Sequence, residues 1–175
     1  QAGSDEVLDR MNRTYTKQHF LDLAQKMRDN IPGLALSTDM IVGFPGETEA
    51  DFLETLDVME QVKFDTAFTF KYSSRPGTKA AEFEDTVAED DKQDRLQRMI
   101  TMQREHTLLR NREHIGERVE VLVEKNSKKS ENQHQGRTRS NKIVIFDKAG
   151  EQPGDLVNVE IVDAQGITLF GRIVD

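Results

Sequence analysis

Residues 34–42 alternate loosely and then turn continuously apolar through Met40, Ile41 and Val42 before meeting the turn Gly43-Phe44-Pro45-Gly46. A short, nearly unbroken apolar run of this kind predicts a strand covered on both faces in a parallel sheet. Gly43 and Gly46 open backbone angles closed to other residues and allow close approach to the main chain. Thr48, with Asp51 three positions on, predicts a helix N-terminus, and Phe52, Leu56 and Met59 carry an apolar face onward. A strand, loop and helix in that order place ligands at the carboxyl end of the strand. Taken alone, the same pattern is equally the ordinary structural step of any α/β domain.

The flanking sequence extends this pattern into a larger unit. Ser4, with Asp5 and Glu6 behind it, predicts a first helix that breaks near Tyr15, and Thr16 caps a second. Phe20, Leu23, Ala24, Met27 and Ile31 then fall on one helical face until Pro32-Gly33 ends it. Residues 65–72, with Phe68, Phe70 and Tyr72 on one face, predict the next strand and complete a βαβ unit. Pro76-Gly77 marks an exposed turn, and the acidic residues 82–91 predict a surface connector. From Asp91 to about His114 a weaker stripe of Leu96, Met99, Ile100, Gln103 and Thr107 predicts a long bridging helix ending before Gly116.

At Gly116 the period changes from helical to two, with Val119, Val121 and Val123 alternating with Glu120, Leu122 and Glu124. Further short strands over 142–146, 156–162 and 167–174 are separated by Pro153-Gly154-Asp155 and Gly166, a pattern that suits a small β-barrel. The expected organisation is thus α/β over 1–115 and all-β over 116–175. At 175 residues, the chain has room for two such modest cores. Opening on Gln1 with a helix entry close behind, it reads as an excised piece whose N-terminal half is missing.

Charged residues make up 32% of the chain and aromatics 6%, with no Trp and no apolar run long enough to span a membrane. A net charge of −8 argues against a general nucleic-acid binder, yet the charge is uneven. Residues 117–142 carry seven cations against four glutamates, a net of +3, which leaves −11 for the remainder. Such an island is a candidate phosphate-contact surface and equally a solvated face. Lys125, Ser127, Lys128, Lys129, Arg137, Thr138, Arg139 and Asn141 combine cations with hydroxyl and amide donors on expected loops. Without aromatics among them, they predict backbone contact rather than base readout. His19, His106, His114 and His134 show no metal spacing and are expected at the surface. The carboxylate pairs suit helix starts, and neither a nucleophile elbow nor a Walker motif is present.

Six segments in one order resemble the methylthiotransferase branch of the radical S-adenosylmethionine enzymes. They are Gln1-Ala2-Gly3-Ser4, Met11-Asn12-Arg13-Thr14-Tyr15-Thr16, residues 37–48, Phe64-Asp65, Tyr72-Ser73-Ser74-Arg75-Pro76-Gly77-Thr78, and Gly136-Arg137-Thr138 followed by Asn141. The resemblance implies the C-terminal part of a partial TIM-like barrel, then an OB-like TRAM barrel associated with RNA binding. It also implies S-adenosyl-L-methionine as a cofactor, with Gln1, Arg13 and Asp39 in its binding and with Gly43 and Ser73 offering close approach and main-chain contacts. Elementary chemistry agrees: a guanidinium suits a methionyl carboxylate, and a carboxylate accepts from ribose hydroxyls. A surface Arg and a structural Asp remain the bland alternative. Ala2 departs from the family, where Ser is common.

The family uses two 4Fe-4S clusters, whose thiolate ligands lie upstream of the matched segments. This chain has no Cys, so it holds neither cluster, and no catalytic or metal-ligating residue is expected within it. Arg75-Pro76 resembles the tRNA-modifying members, which implies transfer of a methylthio group to C2 of isopentenylated adenosine beside the anticodon. The expected partner is a tRNA anticodon stem-loop, met in the cytoplasm by a monomer. The alternatives are methylthio transfer to threonylcarbamoyladenosine in tRNA or to a ribosomal-protein aspartate. A noncatalytic RNA-binding module in which only residues 117–175 function is a further alternative of another class.

Overall fold

A computed structural model describes residues 1–174. Contacts divide the chain between His106 and Thr107, within its longest helix, and each part is described by itself.

In the first part, Ser4 caps α1 (Asp5–Arg10) and Thr16 caps α2 (Lys17–Asn30), each side chain accepting from a backbone amide three residues on. β1 (Ser37–Val42) leads through the glycine turn into α3 (Glu49–Val62), and β2 (Thr66–Lys71) returns parallel to β1. This is the expected βαβ unit. α3 opens on a reciprocal capping box between Thr48 and Asp51 and closes on Lys63 in the left-handed conformation. After a 3₁₀ turn at Lys79–Glu82 comes α4 (Glu89–Arg112), which begins in this part. Phe52, Val58, Met59 and Val62 of α3 bury against Met40 and Val42 of β1, Ala24 of α2, Phe64 and Met99.

The α2 stripe differs from expectation. Phe20, Leu21 and Ala24 pack on the core, whereas Leu23 and Ile31 are exposed. Leu21 replaces Leu23 because the buried arc is rotated toward it, and Ile31 already lies past the helix end in extended backbone. The β sheet also departs from the expected double cover: Met40 and Val42 are buried, while Asp39, Phe68 and Phe70 of the opposite face are exposed.

Asp51 ties the start of α3 to the chain's first residues. Its carboxylate accepts from the Ser4 hydroxyl at 2.5 Å and from the Thr48 amide and hydroxyl at 2.9 and 2.7 Å. Burial alone raises the Asp51 carboxyl, but the hydrogen bonds from Ser4 and Thr48 outweigh it and hold the group below its ordinary value. A carboxyl lowered in the folded state stabilises fully above its unfolded pKa, and that contribution is lost as pH falls through the folded value. Asp51→Asn is therefore expected to lower the melting temperature near neutrality and to flatten its decline below about pH 4. Parallel acid limbs for the two proteins, measured by thermal melts across pH, refute this.

In the second part, five strands close into a barrel in the order β3 (Arg118–Asn126), β4 (Gln133–Thr138), β5 (Ile143–Asp147), β7 (Thr168–Ile173) and β6 (Leu156–Gln165). All neighbouring pairs are antiparallel except β5 with β7. Val121, Val123, Val144, Phe146, Val159, Ile161, Ala164 and Leu169 fill the interior. The inward valines of β3 follow the period-two pattern. β4 corrects the expectation that Gly136, Arg137 and Thr138 lie on a loop: they form a strand between β3 and β5. Its sequence, with neither Val nor Ile, gave no strand signal, and pairing on both edges supplies what propensity lacks.

Two histidines also depart from expectation, since His106 and His134 are buried. His106 Nε2 lies 3.0 Å from Glu60, and His134 Nε2 lies 3.1 Å from the Glu151 carbonyl oxygen.

Candidate functional site

Three of the residues expected to bind the cofactor gather beside β1. Gln1 runs along the edge of this strand, its carbonyl accepting from the Ile41 amide at 2.9 Å, and its side-chain oxygen accepts from the Tyr15 hydroxyl at 3.2 Å. Arg13 follows α1 through Asn12, which adopts a left-handed conformation, and both Arg13 and Asp39 are exposed. The charges of Arg13 and Asp39 both reach the main-chain nitrogen of Gln1. Among the described residues neither Arg13 nor Asp39 has an ion-pair partner. An open guanidinium, an open carboxylate and an amide in one neighbourhood suit a zwitterionic amino acid joined to a ribose.

Gly43 and Ser73 lie at the carboxyl ends of the two adjacent strands. Val42 pairs with Lys71 and its carbonyl accepts from the Tyr72 amide at 2.8 Å, which places Ser73 one residue beyond. Gly43 has φ +72°, and the space a Cβ would need is filled by the Lys92 side chain. Its missing side chain therefore already serves both turn geometry and helix packing. Tyr72 packs edge-on against Phe44 at 5.1 Å, beneath the turn, in a second core with Ala2, Val7 and Leu8.

What fixes the turn is a buried ion network that no sequence pattern announced. Glu47 accepts from the Gly43 amide at 2.9 Å and from Arg95 Nη1 at 2.7 Å. Arg95 Nη1 also donates to the Glu47 carbonyl oxygen at 3.2 Å, and the two side chains are only 8% and 1% exposed. Burial pushes the Glu47 carboxyl up, against the Gly43 amide and Arg95, which draw it down. Lys92, one turn earlier on α4, pairs with Asp85 at 2.5 Å and lies 6.0 Å from the Tyr72 ring centre. Arg10 is drawn against Gly46, and its Nε and Nη2 are buried without a hydrogen-bond partner among the described residues.

The expected RNA-contact residues separate into two groups on the barrel. Arg137 donates to the Asn141 side chain at 2.9 Å and pairs with Glu124 at 3.2 Å, while Arg139 pairs with Glu120 at 2.8 Å. Thr138 and Asn141 shape the β4–β5 turn: Thr138 Oγ1 accepts from the Lys142 amide, and Asn141 has φ +65°. Ser127 Oγ likewise accepts from the Lys129 amide at 3.3 Å. Lys125, Lys128 and Lys129, at the end of β3 and in the loop after it, form no ion pair among the described residues. They are the cations open to an added phosphate.

The chain thus joins a βαβ unit with a glycine-bounded βα turn to a closed five-stranded barrel. Residues 1–59 match the radical SAM superfamily and residues 112–174 match the TRAM domain. It is 49% identical over all 175 residues to the tRNA-2-methylthio-N(6)-dimethylallyladenosine synthase of Thermoanaerobacter sp. (strain X514), of which it covers 37%. The proteins of the same name from Syntrophomonas wolfei subsp. wolfei (strain DSM 2245B / Goettingen) and Moorella thermoacetica (strain ATCC 39073 / JCM 9320) are 49% and 47% identical over 99% and 100% of this chain. In each case the chain covers 39% of the relative. The chain thus spans well under half the length of these relatives.

Proposed function

We propose that this chain is the C-terminal part of a tRNA methylthiotransferase acting at C2 of N6-dimethylallyladenosine beside the anticodon. The observation that carries this reading is the gathering of Gln1, Arg13 and Asp39 beside β1 in a chain similar over its whole length to enzymes of that name. Arg13 holds the carboxylate of S-adenosyl-L-methionine, Asp39 accepts from its ribose hydroxyls, Gln1 lies beside both, and the main chain at Gly43 and Ser73 lines the approach. When bound, S-adenosyl-L-methionine would act together with the two 4Fe-4S clusters to supply the chemistry for inserting sulfur and a methyl group at a C–H bond. The cluster ligands come from outside this Cys-free chain, so the chain by itself is inactive. Among the described residues no helix is long and apolar enough to cross a membrane, and a tRNA substrate places the reaction in the cytoplasm.

Nucleoside mass spectrometry of tRNA from cells lacking the gene tests the reading. The expected result is loss of the methylthio group with accumulation of N6-dimethylallyladenosine. Unchanged tRNA overturns it, and loss of the group from threonylcarbamoyladenosine instead moves the activity to that substrate.

The barrel's part is backbone docking through Lys125, Lys128 and Lys129. Replacing all three by Ala in the intact protein is expected to reduce the salt slope of anticodon stem-loop binding by about 2–3. A matching pair at Arg137 and Arg139 changes it less, because Glu124 and Glu120 already neutralise those cations. An unchanged slope in the lysine variant, from titrations across a salt series, removes these residues from the interface.

A further inference from the structure

β1 and β2 pair in register, Asp39 beside Phe68 and Ile41 beside Phe70. The helices bury one face of this pair through Met40 and Val42. On the other face, Phe68 and Phe70 are 57% and 51% exposed, although a phenyl ring has no polar atom with which to meet water. Parallel strands are ordinarily covered on both faces, and a concentrated apolar strip left open marks a contact site. Two positions apart on one strand, the rings are spaced by about 6.6 Å, which gives a continuous aromatic wall rather than two isolated contacts.

The neighbours of the wall narrow its occupant. Its register partners are Asp39 and Ile41, and no cation stands on this face of either strand, so it suits a neutral group better than a phosphate. Asp39 belongs to the set proposed for the cofactor, so a group lying along Phe68 and Phe70 sits next to the reacting centre. A flat base with an apolar substituent answers both demands: its ring stacks on one phenyl and its alkyl group covers the other. Resting on the tRNA reading above, we infer that Phe68 and Phe70 seat the adenine base and its dimethylallyl group and distinguish that base from unmodified adenosine.

Binding to the intact protein without S-adenosylmethionine tests this through a readout other than turnover. Fluorescence anisotropy compares two labelled anticodon stem-loops, one carrying N6-dimethylallyladenosine beside the anticodon and one carrying adenosine. The wild type is expected to prefer the alkylated RNA by roughly tenfold or more, since about 0.8 kcal/mol accompanies each buried methylene. Phe68→Ala and Phe70→Ala each weaken binding of the alkylated RNA by roughly fivefold or more, the low end for a lost stacking surface, and shrink the preference. Phe68→Leu/Phe70→Leu keeps an apolar strip and a folded protein while removing the rings, and it too loses preference. An undiminished preference in the leucine pair overturns the inference, as does a lowered melting temperature with preference intact, which assigns the strip to a covering protein segment. A wild type that binds both RNAs equally overturns the inference and leaves the tRNA reading standing. One that binds neither overturns both.

Discussion

Arg95→Leu is expected to cost about 3–5 kcal/mol of folding stability, the range for removing one partner of a buried ion pair. Arg95 and Glu47 are both almost fully buried, so deleting the guanidinium strands a carboxylate that water cannot reach. Arg95 also reaches Glu49 at 3.4 Å and lies 5.8 Å from the centre of the Phe52 ring. Glu47 is already raised by burial against the pull of Gly43 and Arg95, and loss of Arg95 raises it further. A carboxyl whose folded pKa exceeds its unfolded one costs stability when ionised, so the variant should regain stability as pH falls through the folded value. The wild type should regain less. Adding Glu47→Gln to Arg95→Leu should recover much of the loss, because an amide can still accept from the Gly43 amide without a stranded charge. S-adenosylmethionine binding should weaken in the single variant, because the Gly43 turn loses its brace. Thermal melts of the single and double variants across pH check the whole chain of reasoning. An Arg95→Leu protein as stable as wild type refutes it.

This network marks the boundary of what the sequence made legible. Local signals were reliable: Ser4, Thr16 and Thr48 cap helices because a cap is settled within four residues. The βαβ unit and the valines of β3 were visible because apolar period reports which face is buried. Arg95 and Lys92 were not, because α4 is charged throughout and their partners follow from the path of the chain rather than from spacing. Nor did the basic island reveal its own neutralisation. Glu120 and Glu124 stand on β3 opposite the strand that carries Arg137 and leads to Arg139, a pairing that exists only once β4 is known to be a strand. The open face of β1 and β2 was missed for a related reason. Its apolar residues signal burial, but period cannot say whether a helix or a ligand does the burying.

β4 yields the second large prediction. Gly136 pairs with Val123 and Val144 in neighbouring strands, and a Cβ there would stand 2.5 Å from both the Leu122 carbonyl oxygen and a Val121 methyl. Its φ does not require glycine, so close approach of β3 alone excludes a side chain. A valine methyl could be relieved by rotamer change, but the Leu122 carbonyl is part of the β3 ladder and moves only if the strands part. Gly136→Val should therefore cost about 3 kcal/mol, the upper end for overpacking. A domain of this size holds only several kcal/mol in all, so the barrel should lose much of its stability and melt well below the wild type. Hydrogen exchange can localise the damage, with β3 and β4 amides losing protection while those of α3 keep theirs. Stem-loop affinity should fall too, because Lys125, Lys128 and Lys129 stand where β3 ends and the loop to β4 begins. A valine variant with full protection in β3 would mean that the strands can part without cost, and that the absence of a side chain at Gly136 is not what holds β4 in the barrel.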